Sequence, residues 1–171
     1  MNQLHRDFKF CPKCAGALTT RILDSVERLV CSKCGFIFYL NPTPAVAVLL
    51  LSNGQVLLVK RKYEPRSGYW SLPAGFVEYY ETVQETAIRE VKEETNLDIQ
   101  LRNIYGVYSA HDDPRNHVVL IVYWGEILGG QLKAGDDAIE AKFFTLDNLP
   151  EDIAFKTHRQ ILQELKQSKC N

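Results

Sequence analysis

The sequence predicts an α/β protein, a mixed sheet with helices on its faces, preceded by a small metal-held module. Three observations carry this reading. Strand-like apolar runs alternate with two well-separated helical segments, the pattern of helices packed on a sheet. Asn41-Pro42-Thr43-Pro44 punctuates the chain as a stiff, extended linker. Ahead of that linker, four of the five cysteines stand as two C-x2-C pairs. The 171 residues suffice for one domain of ordinary size plus an appendage, and the boundary is drawn at residues 1–40 and 41–171. A hydrophobic content of 46% and a charged content of 24% are ordinary for a globular protein and exclude disorder and collagen-like fibres. A net charge of -1 offers no basic field for nucleic acid or membranes. There is no apolar run of about 18 residues and no apolar segment behind Met1-Asn2-Gln3-Leu4-His5-Arg6. The expectation is a soluble, cytoplasmic chain without a membrane partner.

The first module is defined by Cys11-Pro12-Lys13-Cys14 and Cys31-Ser32-Lys33-Cys34, sixteen residues apart. In a cytosolic chain this spacing reads as a structural four-thiolate Zn²⁺ site, rather than as disulfides, a redox pair or unrelated buried thiols. Gly16 and Gly35 are expected to supply the tight turns behind each pair. A segment as short as residues 8–38 lacks a core of its own, so the metal would serve as one. Cys170 has no partner in the sequence and reads as a free thiol.

Beyond the linker, the apolar run 45–51 is a strand buried on both faces. Asn53-Gly54 between it and the run 56–59 is a strong hairpin signal. Residues 63–76, with Gly and Pro, read as a long loop. Residues 82–95 form the clearest helix, opened by a Thr82-x-x-Glu85 capping box. Strands follow near 99–109, 118–126 and 141–146, and a last helix over 153–167.

The middle helix carries the chemistry. Val83, Ala87, Ile88 and Val91 define an apolar stripe at 100° per residue. Glu90, Glu93 and Glu94 stand at i, i+3 and i+4, on one flank, with Glu94 inside the edge of the stripe. Like charges at the C-terminal end of a helix oppose its dipole, and such local violations mark functional sites. The natural counter-charge is a hard cation, Mg²⁺ or Mn²⁺. Three glutamates by themselves fit a solvated acidic face at least as well, with Arg89 and Lys92 as neighbours.

The wider pattern decides between the two. Gly75, Glu81 and the run Arg89-Glu90-Val91-Lys92-Glu93-Glu94-Thr95-Asn96-Leu97 closely resemble the Nudix box, G-x5-E-x7-R-E-U-x-E-E-x-G-U, where U is bulky and aliphatic. One defining position departs: Asn96 stands where the family has glycine, and Asn is the best non-glycine occupant of a left-handed helix end. The resemblance implies an α/β/α sandwich. It also implies an enzyme that hydrolyses a nucleoside diphosphate linked to another moiety, with Mg²⁺ or Mn²⁺. By the same resemblance Glu90, Glu93 and Glu94 bind that metal with the Gly75 carbonyl, and Arg89 with Glu81 orients Glu90.

The substrate is narrowed less firmly. The ribbon resembles that of zinc-containing NADH pyrophosphatases, yet their S-Q-P-W-P-F-P-x-S sequence is replaced here by Leu101-Arg102-Asn103-Ile104-Tyr105-Gly106-Val107-Tyr108-Ser109. Residues 109–119 look like ADP-ribose pyrophosphatases, and Pro114 stands seventeen residues past Leu97, close to that group's marker proline. ADP-ribose or a related dinucleotide such as FAD or NADH is therefore expected. Arg61 and Arg115 suit phosphates. Tyr69 or Trp70 would stack on a base or belong to the core. His117 begins an apolar strand and reads as structural. Glu140 resembles an acidic position beyond the box that acts as base or metal ligand, with Asp136 and Asp137 in competition.

A contrasting reading is a nucleic-acid-binding or regulatory Nudix-like sensor that uses the ribbon. Lys9, Lys13, Arg21, Arg28 and Lys33 leave modest room for RNA. The intact carboxylate set argues for the enzyme, since a sensor need not keep a repulsive cluster. A homodimer is an expectation from the family alone.

Overall fold

The computed structural model describes residues 8–113, 116–135 and 137–168. The chain divides into two compact units between Asn41 and Pro42. The first is a three-stranded antiparallel sheet of β1 (Leu18–Leu23), β2 (Val26–Cys31) and β3 (Ile37–Phe38), in that order. These strands were not readable in the sequence, because β1 is mostly exposed and carries no apolar alternation. Among the described residues of the unit, the buried apolar set is Cys11, Leu29, Val30 and Cys31. The turn behind the first cysteine pair differs from expectation. Ala15 takes the left-handed conformation (φ 55°), while Gly16 is needed for close approach, since a Cβ there would lie 2.8 Å from Lys33 Cβ.

The second unit opens with β4 (Thr43–Ser52) and β5 (Gln55–Arg61). Asn53 and Gly54 join them with φ of 49° and 78°, the positive pair that a tight hairpin turn requires. Residues 63–76 are not all loop. β6 (Trp70–Ser71) pairs with β5, and β7 (Ala74–Phe76) pairs with β4. Strands of two and three residues are too short to show a period in sequence. Helix α1 (Val83–Thr95) follows, then β8 (Leu97–Ala110), β9 (Val118–Gly130), β10 (Ala138–Thr145) and α2 (Lys156–Ser168). Helix α2 starts later than expected because residues 152–154 stay extended against Trp70, whose N–H and C=O bond Asp152 O and Ala154 N at 2.8 and 2.7 Å.

The sheet order is β10-β5-β4-β9-β8, with β4 and β9 parallel and the other pairings antiparallel. The mixed sheet is thus as expected. Alternation along β4 explains the layers. Ala45, Ala47 and Leu49 face a cluster with Ile161, Leu162 and Leu165 of α2. Val46, Val48 and Leu50 face a second cluster with Ala87 and Val91 of α1. Ile88 is a correction to the helical stripe: it is 44% exposed, one residue too far round the helix. Among the described residues no helix is long and apolar enough to cross a membrane.

Candidate active site

Helix α1 begins as its sequence dictates. Thr82 Oγ1 accepts from Glu85 N at 3.2 Å, and the Glu85 carboxylate accepts from Thr82 N at 2.8 Å. The helix ends at Asn96 in the left-handed conformation (φ 58°), with Asn96 N donating to Lys92 O at 2.9 Å and Nδ2 donating to Gln131 O at 3.0 Å. The asparagine that replaces the expected glycine therefore adopts the glycine's conformation and adds a bond of its own.

Between these ends Arg89 gathers three carboxylates. Its Nε and Nη2 donate to Glu81 at 2.6 and 2.8 Å, a bidentate fork. Its Nη1 donates to Glu90 Oε1 at 2.7 Å and to Glu93 Oε2 at 3.0 Å. The guanidinium holds the Glu81 carboxyl down to about 2, and Glu81 in turn raises the Arg89 pKa. The pairing of Arg89 with Glu81, expected only by resemblance, is present.

Glu90 and Glu94 face a cleft lined also by Arg61, Gly75, Glu78 and Asp137. Gly75 is required there, because a Cβ at that position would fall on the Glu90 carboxylate. Glu94 Oε2 accepts from Ala74 N at 3.1 Å, so β7 and α1 are pinned at the cleft. Burial raises the Glu90 carboxyl, against the pull of Arg89. Burial likewise pushes Glu94 up to about 8; the Ala74 N–H and Arg61 oppose this, and Glu90 and Asp137 add to it. Carboxylates driven together in a half-buried cleft, beside a backbone with no side chain, fit a hard divalent cation with oxygen ligands. Glu93 is more exposed and held by Arg89, and it is not among the residues that line the cleft.

The remaining candidates separate. Arg61 lines the cleft; its Nε donates to Pro65 O at 3.0 Å and its guanidinium lies 5.2 Å from the Phe155 ring. Tyr69 is 39% exposed. Trp70 is a correction: it is 6% exposed and packs edge-on against Phe144 at 4.7 Å within the core, so it has no face to offer a base. Trp70→Ala is expected to cost about 3–5 kcal/mol in a denaturant melt, the toll of a large core cavity. Glu140 is exposed on β10 and does not line the cleft, whereas Asp137, just ahead of that strand, does. His117 stacks edge-on with His111 at 4.4 Å, consistent with its structural reading. Arg115, Asp136 and Cys170 lie outside the described residues. Sequence reasoning missed His158, which is buried on α2 and accepts from Leu72 N at Nδ1, 3.1 Å.

In the first unit, the four cysteine Sγ atoms all lie within 4.8 Å of one another, with Cys11–Cys34 at 3.8 Å and Cys14–Cys31 at 3.5 Å. A tetrahedral zinc with Zn–S near 2.3 Å places its sulfurs about 3.8 Å apart, whereas a disulfide needs about 2.05 Å. Cys31 Sγ also accepts from Lys33 N and Cys34 N at 3.4 Å. Those N–H groups, Cys34 first, help draw its thiol down to about 6. The donor set fits Zn²⁺.

The family model of the NUDIX domain matches residues 41–165. The chain belongs to the Nudix hydrolase family. A second model, of the Nudix N-terminal segment, matches residues 9–40. This Nudix hydrolase is 49% identical over 127 residues to the ADP-ribose pyrophosphatase of Methanocaldococcus jannaschii, covering 74% of each chain. It is 30% identical over 147 residues to the NAD-capped RNA hydrolase NudC of Pseudomonas aeruginosa; that match takes in 85% of this chain and 50% of NudC, about half its length. A solved NUDIX hydrolase from Nitrosomonas europaea superposes with a TM-score of 0.82 at 34% identity, over 94% of this chain and 92% of that one. Hydrolysis of pyrophosphate bonds is the reaction class.

Proposed function

We propose that the chain hydrolyses the pyrophosphate bond of ADP-ribose or a related dinucleotide such as FAD or NADH, with Mg²⁺ or Mn²⁺. Glu90, Glu93, Glu94 and the Gly75 carbonyl would hold the catalytic ion, and Cys11, Cys14, Cys31 and Cys34 a structural zinc. The carrying observation is the burial of Glu90 and Glu94 in one cleft with Asp137, with Arg61 on its wall. A bound divalent ion supplies Lewis acidity toward the diphosphate and toward a water. Arg89 keeps Glu90 aimed at the cleft through the fork it shares with Glu81. Arg61 faces the position of a phosphate, and Arg115 and Tyr69 extend the substrate contacts. Asp137 is the carboxylate placed to take the proton from the attacking water. The names of the Methanocaldococcus and Pseudomonas relatives support a substrate in which a nucleotide is joined through a diphosphate.

The test is a screen of ADP-ribose, NADH, FAD, diadenosine polyphosphates and nucleoside triphosphates with Mg²⁺ or Mn²⁺, read by mononucleotide or phosphate release. ADP-ribose or another dinucleotide is expected to give the highest kcat/KM; a clear preference for nucleoside triphosphates would overturn the reading. Within that assay Asp137→Asn should lower kcat by about 10²–10⁴-fold, as the loss of a general base does, while Glu140→Gln stays within about twofold of the parent. Equal losses in both variants would remove Asp137 from the role.

A further inference from the structure

The chain that leads from β9 to Asp137 is docked on the C-terminal end of α1, the helix that carries Glu90 and Glu94. Lys133 N donates to Thr95 O at 3.0 Å, and Gly135 N donates to Glu94 O at 3.3 Å. Both carbonyls belong to the last turn of the helix, where no partner exists within the helix itself. The approach is close. A Cβ on Gly130 would lie 2.5 Å from Asn96 O, and one on Gly135 would lie 2.9 Å from Glu93 O. Leu132 packs against the cluster that contains Ala87 and Val91 of α1. Farther along, Ala138 N donates to Gly135 O at 3.0 Å, and Lys62 N donates to Asp137 O at 2.8 Å.

Asn96 adds a side-chain bond to this joint. Its Nδ2 donates to Gln131 O at 3.0 Å, across 35 residues of chain. The helix end has no need of that carboxamide. Its left-handed turn (φ 58°) and the bond from Asn96 N to Lys92 O are backbone features, which glycine supplies without strain. Asparagine reaches the left-handed region only at a steric cost that glycine avoids. What the side chain contributes therefore lies outside the helix, on the segment that runs to Asp137.

We propose that Asn96 is a positioning residue for hydrolysis: its carboxamide locks residues 131–135 onto the end of α1 and so fixes Asp137 in the cleft relative to Glu90 and Glu94. The proposal rests on the reading of Asp137 as the group that takes the proton from the attacking water. A base must lie within hydrogen-bond reach of that water, and a misplacement of about 1 Å costs up to about 10²-fold in rate. Base and ion-binding carboxylates come from elements about 40 residues apart, so their spacing depends on how the two are joined. Asn96 stands two residues past Glu94, and its bond to Gln131 O ties both to one frame.

The test is a double-variant cycle on the full chain in saturating Mg²⁺, with the dinucleotide of highest kcat/KM as substrate. Asn96→Gly keeps the left-handed helix end and removes only the side-chain bond. It should lower kcat by about threefold to tenfold, the worth of one hydrogen bond, and leave KM within about twofold. In an Asp137→Asn background the same substitution should change kcat by less than about twofold, because no base is left to misplace. Amide hydrogen exchange in Mg²⁺-free buffer reads the joint without turnover. The Lys133 and Gly135 N–H groups should exchange about fivefold to tenfold faster in Asn96→Gly, while amides in the middle of α1 keep their protection. Equal losses of kcat in both backgrounds would make the role of Asn96 merely structural and overturn the proposal. An unchanged kcat, a loss confined to KM, or unchanged exchange at Lys133 and Gly135 would overturn it too. Asp137→Asn at the parental rate would instead overturn the reading of Asp137 as the base, and the exchange rates would still decide whether Asn96 anchors the segment.

Discussion

Glu94→Gln is expected to lower hydrolysis in saturating Mg²⁺ by more than about 100-fold, since loss of even an indirect metal partner costs about 10–100-fold. The same variant should be more stable than the parent at pH 8 in metal-free buffer. Glu94 is 6% exposed, and its Oε2 accepts from Ala74 N. Gln has the same size, keeps that acceptor and carries no charge. In the unfolded chain Glu94 ionises near 4.5, whereas burial holds the folded carboxyl up to about 8. Between these values the folded state binds more protons, so stability falls as pH rises. The contribution is complete below about 4.5 and gone above about 8. Over that window the parent loses up to about 1.4 kcal/mol per pH unit relative to the variant, and near pH 5 the two melt almost alike. Urea melts at pH 5, 6.5 and 8, in Mg²⁺-free buffer without chelator so that zinc is retained, measure the difference. Parallel stability profiles would make the buried charge irrelevant. Turnover near the parental rate would remove Glu94 from the metal site.

What was legible in the sequence is what lies close along the chain. Glu90, Glu93 and Glu94 share a flank because one helix fixes their spacing, and the capping box and Asn96 mark the ends of that helix locally. The cysteine pairs were readable for the same reason. Trp70 and Tyr69 were not separable, because the pairing of β6 with β5 decides which ring enters the core, and a two-residue strand shows no alternation. Glu140 was preferred over Asp137 by resemblance to an acidic position beyond the box, whereas which acid reaches the cleft depends on how the chain enters β10, a matter of tertiary placement. His158 lies 86 residues from Leu72, its hydrogen-bond partner, so no window of sequence contains the reason for its burial. Each miss is a fact of tertiary pairing, where local propensity gives way to the packing of distant strands.

Cys31→Ser is expected to release the zinc proposed for the four thiolates and to unfold residues 8–38, while hydrolysis per folded catalytic domain survives in part. Cys31 is buried, its sulfur lies 3.5 Å from that of Cys14, and two backbone N–H groups point at it. Serine shortens the side chain and offers a hydroxyl where a thiolate is needed, so one of the four ligands is lost. The unit cannot absorb that loss. With so few buried residues among those described, two of them proposed ligands themselves, it would rely on the proposed zinc, which contributes about 10–16 kcal/mol at structural sites of this kind. Its short, exposed strands add little, since no residue of β1 is buried. Zinc content by atomic absorption should fall from about one per chain to near zero. Amide resonances of residues 8–38 should collapse toward random-coil positions, and those of the sheet around β4 should stay dispersed. A variant that keeps its zinc and its dispersed ribbon amides would show that three thiolates suffice. Full hydrolysis sustained by zinc alone, without Mg²⁺ or Mn²⁺, would contradict the division of labour between the two metals, because four thiolates fill a tetrahedron and leave no position for water.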